Sequence, residues 1–484
     1  MSVWGWILLA LAAFLAVLCV NALRFRPARE TVAAPLRPEV DGEAAARALS
    51  ALVQCPTVSH PDREGDDPAA FDRLTALLKT LFPRVHAACT CEAVGDRALL
   101  YRWKGLSDAA PLLLTAHYDV VPADAAEWSF DPFGGERLDG MVRGRGTLDT
   151  KGTLTAILSA AETLLAGGYT PARDVYFGFA GDEEVMGGSA GHIAEALQAR
   201  GVRPLCVVDE GGAIVTRVFP GVQTPCALVG VAEKGSVNYR LQVTAKGGHS
   251  SAPLRNTPVD LLARACVAIW RKPFPFRVTL PARQLIDGLA RHSTFAYRLV
   301  FANMGVFGPL LDLLCRRTGG ELNALFRTTT AFTVLRAGEA VNVLPTGAEM
   351  RLNARVLPGE TIEGTLAALR RRVRDPRVEV SLLKGLAPSA CSGTDGEGYA
   401  ALRRAVQQVY PGVLISPYLM IACSDARHYE GLCGHVFRFS GMPLSAEERR
   451  MIHGVDERIP ESTLADTVRF FLRLMVNVCG EEHA

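Results

Sequence analysis

Between residues 111 and 210, three short apolar runs alternate with segments of helical period: PLLLTAH (111–117), DVYFGFA (174–180) and PLCVVDE (204–210). No other feature of the chain narrows the fold as much. Runs of this length and apolarity, bounded by loops, predict strands buried on both faces. After the first run, residues 151–168 place Leu154, Ile157, Leu158, Ala161, Leu164 and Leu165 on one helical face, and Gly167-Gly168 ends the helix. A second helix is predicted near 189–200. Strands alternating with helices imply an α/β sheet with helices packed on it.

The pattern changes near residue 232. Val237, Tyr239, Leu241 and Val243 alternate with polar positions, as in a strand with one covered face. A helix near 257–270, strands near 328–336 and 348–356, a helix at 361–373 and a strand at 377–383 come next. That βαββαβ order is the ferredoxin-like arrangement. Residues 273–327 interrupt it with apolar, partly helical sequence such as MGVFGPLLDLLC. From about 386 the α/β character resumes. The expected architecture is an α/β catalytic domain built from residues 41–231 and 386–484, with a smaller ferredoxin-like domain of residues 232–385 inserted in it.

Ahead of the body, residues 1–23 hold no charged side chain, and Arg24, Arg26 and Arg29 come directly after. About 20 apolar residues span a bilayer as a helix, so this segment is long enough for a single-pass anchor. The alternative is a cleaved signal peptide, with Val20-Asn21-Ala22 as the cleavage site and a secreted product. The segment lacks the basic start of a signal peptide, which favours the anchor. Residues 24–40, with three prolines, read as a linker.

Charge excludes one class of partner. Of 484 residues 52 are basic, only seven of them Lys, and 50 are acidic; the Arg residues are scattered. A nucleic-acid binder would carry a concentrated basic stripe, so no nucleic acid is expected. The twelve Cys include no CxxC pair, which argues against both a disulfide-dense module and a Cys-rich zinc finger.

The candidate chemistry sits at the predicted strand ends. His117 and Asp119 close the first, Asp149 lies in the Gly-rich loop GRGTLDTKG before a helix, and GDEE brings Glu183 and Glu184 after the second. Asp209 and Glu210 close the third, and His453 lies far along the chain in IHGVDERIP. Singly, each has an ordinary structural role, such as a helix cap for Asp149. Together they gather histidine and carboxylates at successive ends of one sheet, where α/β folds place their ligands. Nitrogen and oxygen donors without thiolate suit zinc, with cobalt or manganese as substitutes. The number of carboxylates suffices for two ions sharing a bridge.

HYDVVP, GRGTLDTKG, GDEE, VVDEGG, GGHSSAP, AVNVLP and IHGVDERIP occur in the order and spacing of a co-catalytic zinc exopeptidase family. That family includes carboxypeptidase S, aminoacylase-1, glutamate carboxypeptidase and succinyl-diaminopimelate desuccinylase. The resemblance covers about residues 41–480 and runs to the branch of carboxypeptidase S and N-fatty-acyl-amino-acid synthase/hydrolase.

The resemblance implies two zinc ions per chain. His117 and Asp209 would bind one, Glu184 and His453 the other, and Asp149 would bridge; some relatives use the residue equivalent to Glu210 in place of Asp209. Asp119 would orient His117, and Glu183 would be the general base toward a metal-bridging water. The peptide bond after Asp149 would be cis. The inserted domain resembles the family's lid, through which many relatives form homodimers. His249 in GGHSS would stabilise the oxyanion, and Asn342 and Arg355 would hold the substrate's carboxylate. One segment departs from the pattern: Cys423-Ser424-Asp425-Ala426-Arg427 stands where relatives carry Gly-Thr-Asp-Ser-Arg.

The function so implied is release of a C-terminal amino acid from a short peptide or N-acyl amino acid. A second reading makes long-chain N-acyl amino acids the main substrate, hydrolysed or synthesised. Two more distant ones are a membrane receptor on an inactive peptidase scaffold and a metal-dependent esterase or lactonase.

Overall fold

A computed structural model describes residues 2–28 and 31–480; Arg29 of the basic flank lies outside the described residues. The apolar runs form adjacent strands of one large sheet. In spatial order its main path is Thr90–Ala93, Ala98–Trp103, Arg173–Ala180, Ser107–His117, Cys206–Asp209, Val436–Arg438, Cys226–Glu233 and Leu414–Met420. Ser107–His117 pairs in parallel with both Arg173–Ala180 and Cys206–Asp209. Leu112, Leu113, Leu114, Val175, Phe177 and Val207 are fully buried, as a sheet covered on both faces requires.

The predicted helix forms over Lys151–Ala166 and lies in one layer with Gly42–Val53 and Glu461–Cys479. Ser189–Ala199 covers the opposite face, against Ala98–Trp103 and Arg173–Ala180. The outer strands Thr90–Ala93 and Ala98–Trp103 have no separate signal in the sequence. They pair antiparallel, with an exposed edge, and carry no long apolar run.

The second sheet is antiparallel, in the order Thr329–Arg336, Gly347–Val356, Gly235–Thr244 and Glu379–Leu386. This is the ferredoxin-like order. Along Gly235–Thr244 every second residue is buried, and helices Pro258–Arg271 and Ile362–Val373 lie on that covered face. Thr257 and Asp260 close a capping box that starts the first of these helices.

Residues 273–327 fold as four helices: Leu280–Leu289, Phe295–Phe301, Met304–Thr318 and Gly320–Phe326. The first packs on strand Leu414–Met420 at the edge of the large sheet. The N-terminal segment is helical over Val3–Arg24, and it is the one described helix long and apolar enough by itself to cross a membrane. Its last turns pack on the insertion, with Leu18 and Ala22 buried there.

Candidate metal centre

His117 is the last residue of its strand, and Asp119, two positions on, fixes its ring. Nδ1 lies 3.0 Å from the carbonyl oxygen of Asp119 and 3.3 Å from that residue's carboxylate. A proton on Nδ1 satisfies both and leaves Nε2 with its lone pair facing the site. Nε2 is 3.0 Å from Asp149 Oδ1, 3.6 Å from Glu210 Oε1 and 4.0 Å from Glu183 Oε2.

Asp149 arrives from the Gly-rich loop, and the Asp149–Thr150 peptide bond is cis. While its Oδ1 faces His117, its Oδ2 lies 3.1 Å from Nε2 of His453, and that same nitrogen is 3.1 Å from Glu184 Oε2. One carboxylate therefore faces two imidazoles with its two oxygens, although His453 comes from near the other end of the chain. His453 reaches the site from a left-handed backbone conformation, φ 59°.

Glu183 and Glu184 occupy the 3₁₀ turn Glu183–Val185 just after strand Arg173–Ala180. The turn starts at Gly181, where a Cβ would lie 2.6 Å from the Tyr118 ring, so only glycine fits. Asp119, expected to orient His117, also holds this turn. Its carboxylate accepts the main-chain N–H of Glu183 and of Glu184, both at 3.1 Å, and the Ser59 hydroxyl at 2.5 Å.

The third strand end carries two adjacent carboxylates, Asp209 and Glu210. The strand stops at Asp209; Thr115 Oγ1 donates to its Oδ1 at 2.8 Å, and its Oδ2 is buried with no hydrogen-bond partner. Glu210 is the residue aimed at His117.

Sequence reasoning missed one supporting residue, Glu457, four positions after His453. It is fully buried and accepts Arg145 Nη1 (2.8 Å) and the main-chain N–H groups of Gly146 (3.1 Å), Leu148 (2.7 Å) and Asp149 (3.3 Å). This carboxylate clamps the loop that carries Asp149. Its neighbour Lys151, also fully buried, donates to the carbonyls of Leu52 and Cys55, and burial pulls its pKa down to about 8.

Electrostatics identify what the cluster accommodates. Burial pushes the carboxyl groups of Glu183 and Glu210 well above the usual range, and neighbouring carboxylates add to it. Burial opposes charge on His117, yet Glu210, Asp119 and Asp149 outweigh it and raise that ring's pKa well above the ordinary value. Hydrogen bonds to Asp149 and Glu184 raise His453 to about 10. Like charges gathered out of water need positive charge among them. Two sets of donor atoms are close enough to share a cation: His117, Asp149 and Glu184, and His117, Glu183 and Glu210. Oε1 of Glu184 is buried with no hydrogen-bond partner. Oxygen and imidazole donors of this kind fit a pair of divalent cations.

The three residues expected to meet substrate lie on the small domain. His249 and Asn342 are exposed and adjacent: Gly248–His249 pairs with Val343–Leu344, and Ser250 N–H donates to the Asn342 carbonyl at 3.2 Å. His249 Nδ1 accepts from Ser251, leaving Nε2 outward. Arg355, half-buried on Gly347–Val356, has Nη1 3.3 Å from Sγ of Cys423. Burial pushes the Cys423 thiol up, against the pull of Arg427 and Arg355, so the departure from the family pattern touches Arg355.

The profile of peptidase family M20/M25/M40 matches residues 113–477. The chain is 36% identical to a probable carboxypeptidase S-like protein 2 of Dictyostelium discoideum, over 84% of this chain and 79% of that protein. It is 35% identical to the N-fatty-acyl-amino acid synthase/hydrolase of Homo sapiens, over 89% of this chain and 87% of that one. Among solved structures, an M20 family metallo-carboxypeptidase of Sulfolobus solfataricus superposes with a TM-score of 0.65 at 17% identity, covering 89% of this chain and 98% of its own. Human carnosine dipeptidase 1 superposes with a TM-score of 0.64 at 16% identity, over 90% and 96%. These superpositions establish the shared fold.

Proposed function

The chain belongs to peptidase family M20/M25/M40, and from that premise we propose that it is a zinc-dependent metallocarboxypeptidase and amidohydrolase. It releases the C-terminal amino acid of short peptides or N-acyl amino acids. The observation that carries this reading is Asp149, whose two oxygens face His117 and His453 separately. His117 and Glu210 would hold one zinc, Glu184 and His453 the other, with Asp149 shared. When bound, the pair supplies Lewis-acid polarisation of the scissile carbonyl and a lowered pKa for the attacking water.

The chain's own groups do the rest. Glu183 takes a proton from the attacking water and returns it to the leaving amine nitrogen as the C–N bond breaks; its burial keeps its pKa suited to that exchange. Asp119 holds the main chain at Glu183 through its N–H, which fixes where the base's side chain starts. Arg355 pairs with the substrate's carboxylate, two-pronged as a guanidinium allows, with Asn342 beside it. His249 stabilises the oxyanion, from the lid or from a second copy in a homodimer.

Residues 41–231 and 386–484 form the catalytic unit of this reading, and residues 232–385 the lid. Val3–Arg24 is a single-pass anchor, joined to the body by the linker. A second reading, long-chain N-acyl amino acids as main substrate, is favoured by the apolar helices of the insertion that stand beside that anchor.

Mass spectrometry of a mixed pool of dipeptides and N-acyl amino acids, with zinc supplied, tests the proposal. The wild-type enzyme should free C-terminal amino acids and leave C-terminal amides intact. Glu183→Gln should keep its metal and lose roughly 100-fold or more in turnover. Equal hydrolysis of acids and amides would overturn the carboxypeptidase assignment.

A further inference from the structure

The insertion contains a helix that is apolar on two sides. In Met304–Thr318, Leu311 and Cys315 are buried against the body, while Val306, Leu310, Leu313 and Leu314 form a stripe on the opposite side; Leu310 is 61% exposed. The preceding helix, Phe295–Phe301, meets it at 101° and exposes Phe295 and Tyr297. Exposed apolar side chains gathered on one elbow call for a partner.

The N-terminal helix shows which partner. It stands on this same elbow. Asn303, between the two helices, donates to the carbonyl of Leu18 at 3.1 Å and accepts from Asn21 Nδ2 at 2.8 Å. Phe25 joins the insertion's core, and the Arg291 guanidinium lies 4.4 Å from its ring. Val3–Arg24 spans about 33 Å at 1.5 Å per residue, close to the hydrocarbon thickness. With Arg24 at the surface, Leu18 lies about 9 Å deeper by the same rise. Whatever touches Leu18 and Asn21 shares that depth, which is where interfacial helices bed. Arg24, Arg26, Arg316 and Arg317 are exposed around the elbow, suitably placed for lipid phosphates. Asp312, on the same helix, is neutralised by Arg316 and Arg327.

We propose that the elbow Phe295–Thr318 is a second membrane contact, bedding its exposed apolar stripe into the leaflet from which the N-terminal helix emerges. This rests on the anchor reading above. It adds a second point at which the body meets the bilayer, beside the packed N-terminal helix.

Photo-cross-linking of the full chain in phosphatidylcholine vesicles containing some phosphatidylglycerol tests it. A benzophenone amino acid replaces Leu310 in the elbow, Leu9 in the anchor or Leu106, an exposed leucine in the loop before strand Ser107–His117. Lipid adducts at positions 9 and 310 and none at 106 are expected. Adducts at 9 without 310 would overturn the elbow contact and leave the anchor standing. Adducts at neither, or at 310 alone, would overturn the anchor reading and this geometry with it. Coupling from position 310 to a second copy of the chain would replace the bilayer by self-association.

Discussion

Asp209 and Glu210 are adjacent carboxylates with different partners. Asp209 Oδ1 accepts the Thr115 hydroxyl, and Glu210 Oε1 lies 3.6 Å from Nε2 of His117. The consequence is measurable by metal analysis. Glu210→Gln should lose about one of two metal equivalents and at least roughly 100-fold in turnover, the scale on which metal sites respond to altered support. Asp209→Asn keeps an oxygen for Thr115 and should retain both metals. The reverse pattern would restore Asp209 as the ligand.

Loops and turns, rather than the strands themselves, carry most of the reactive groups, and each is held by a carboxylate from elsewhere. Asp119 holds the Glu183–Val185 turn, and Glu457 holds the loop of Asp149. Glu457→Gln retains one acceptor oxygen where the carboxylate uses two, so part of the loop's main chain loses its partner. Metal affinity should fall by about 10–100-fold, while the fold, read by circular dichroism, survives. Unchanged affinity in a competition titration against a chelator would show that the loop holds its shape unaided.

Over the whole molecule, the chain first passes between the two sheets at a short crossing, where strand Cys226–Glu233 of the large sheet leads to Gly235–Thr244 of the small one. Glu233 lies there, fully buried, accepting Arg438 Nε at 2.8 Å, Arg427 Nη2 at 2.6 Å and Ser424 Oγ at 2.6 Å. Next to it, Lys234 donates to the carbonyls of Ala324 and Arg327 and ties down the insertion's last helix; burial lowers its pKa to about 7. Burial alone would raise the pKa of Glu233, but Arg438 and Arg427 bring it below its ordinary 4.5. A carboxyl group with a lowered folded-state pKa contributes stability above the unfolded value of 4.5, and that stability is lost as pH falls through the folded value. Glu233→Gln should therefore lower the Tm at neutral pH, by the equivalent of about 3–5 kcal/mol for leaving two buried guanidinium groups short of a counter-charge. Its Tm should also change less than the wild type's on acidification. Parallel acid profiles for the two proteins would refute this role.

Much of the molecule is dictated by local sequence. The apolar runs at 111–117, 174–180 and 204–210 can only be covered strands, and the alternation from Val237 to Val243 can only face one layer. The order of the motifs places His117, Asp149, Glu183, Glu184 and His453 as candidates for one site, and the structure brings them together. Which carboxylate faces inward at a strand end is another matter. The strand of Asp209 stops where its neighbour does, through the pairing of Arg438 with Asp209, and that partner lies 229 positions on. The grip of Glu457 on the Asp149 loop and the seat of the N-terminal helix on Asn303 likewise join residues about 300 apart. Period and polarity govern the elements because they act over a few residues. Contacts across such separations depend on how whole layers pack, and only the tertiary structure decides them.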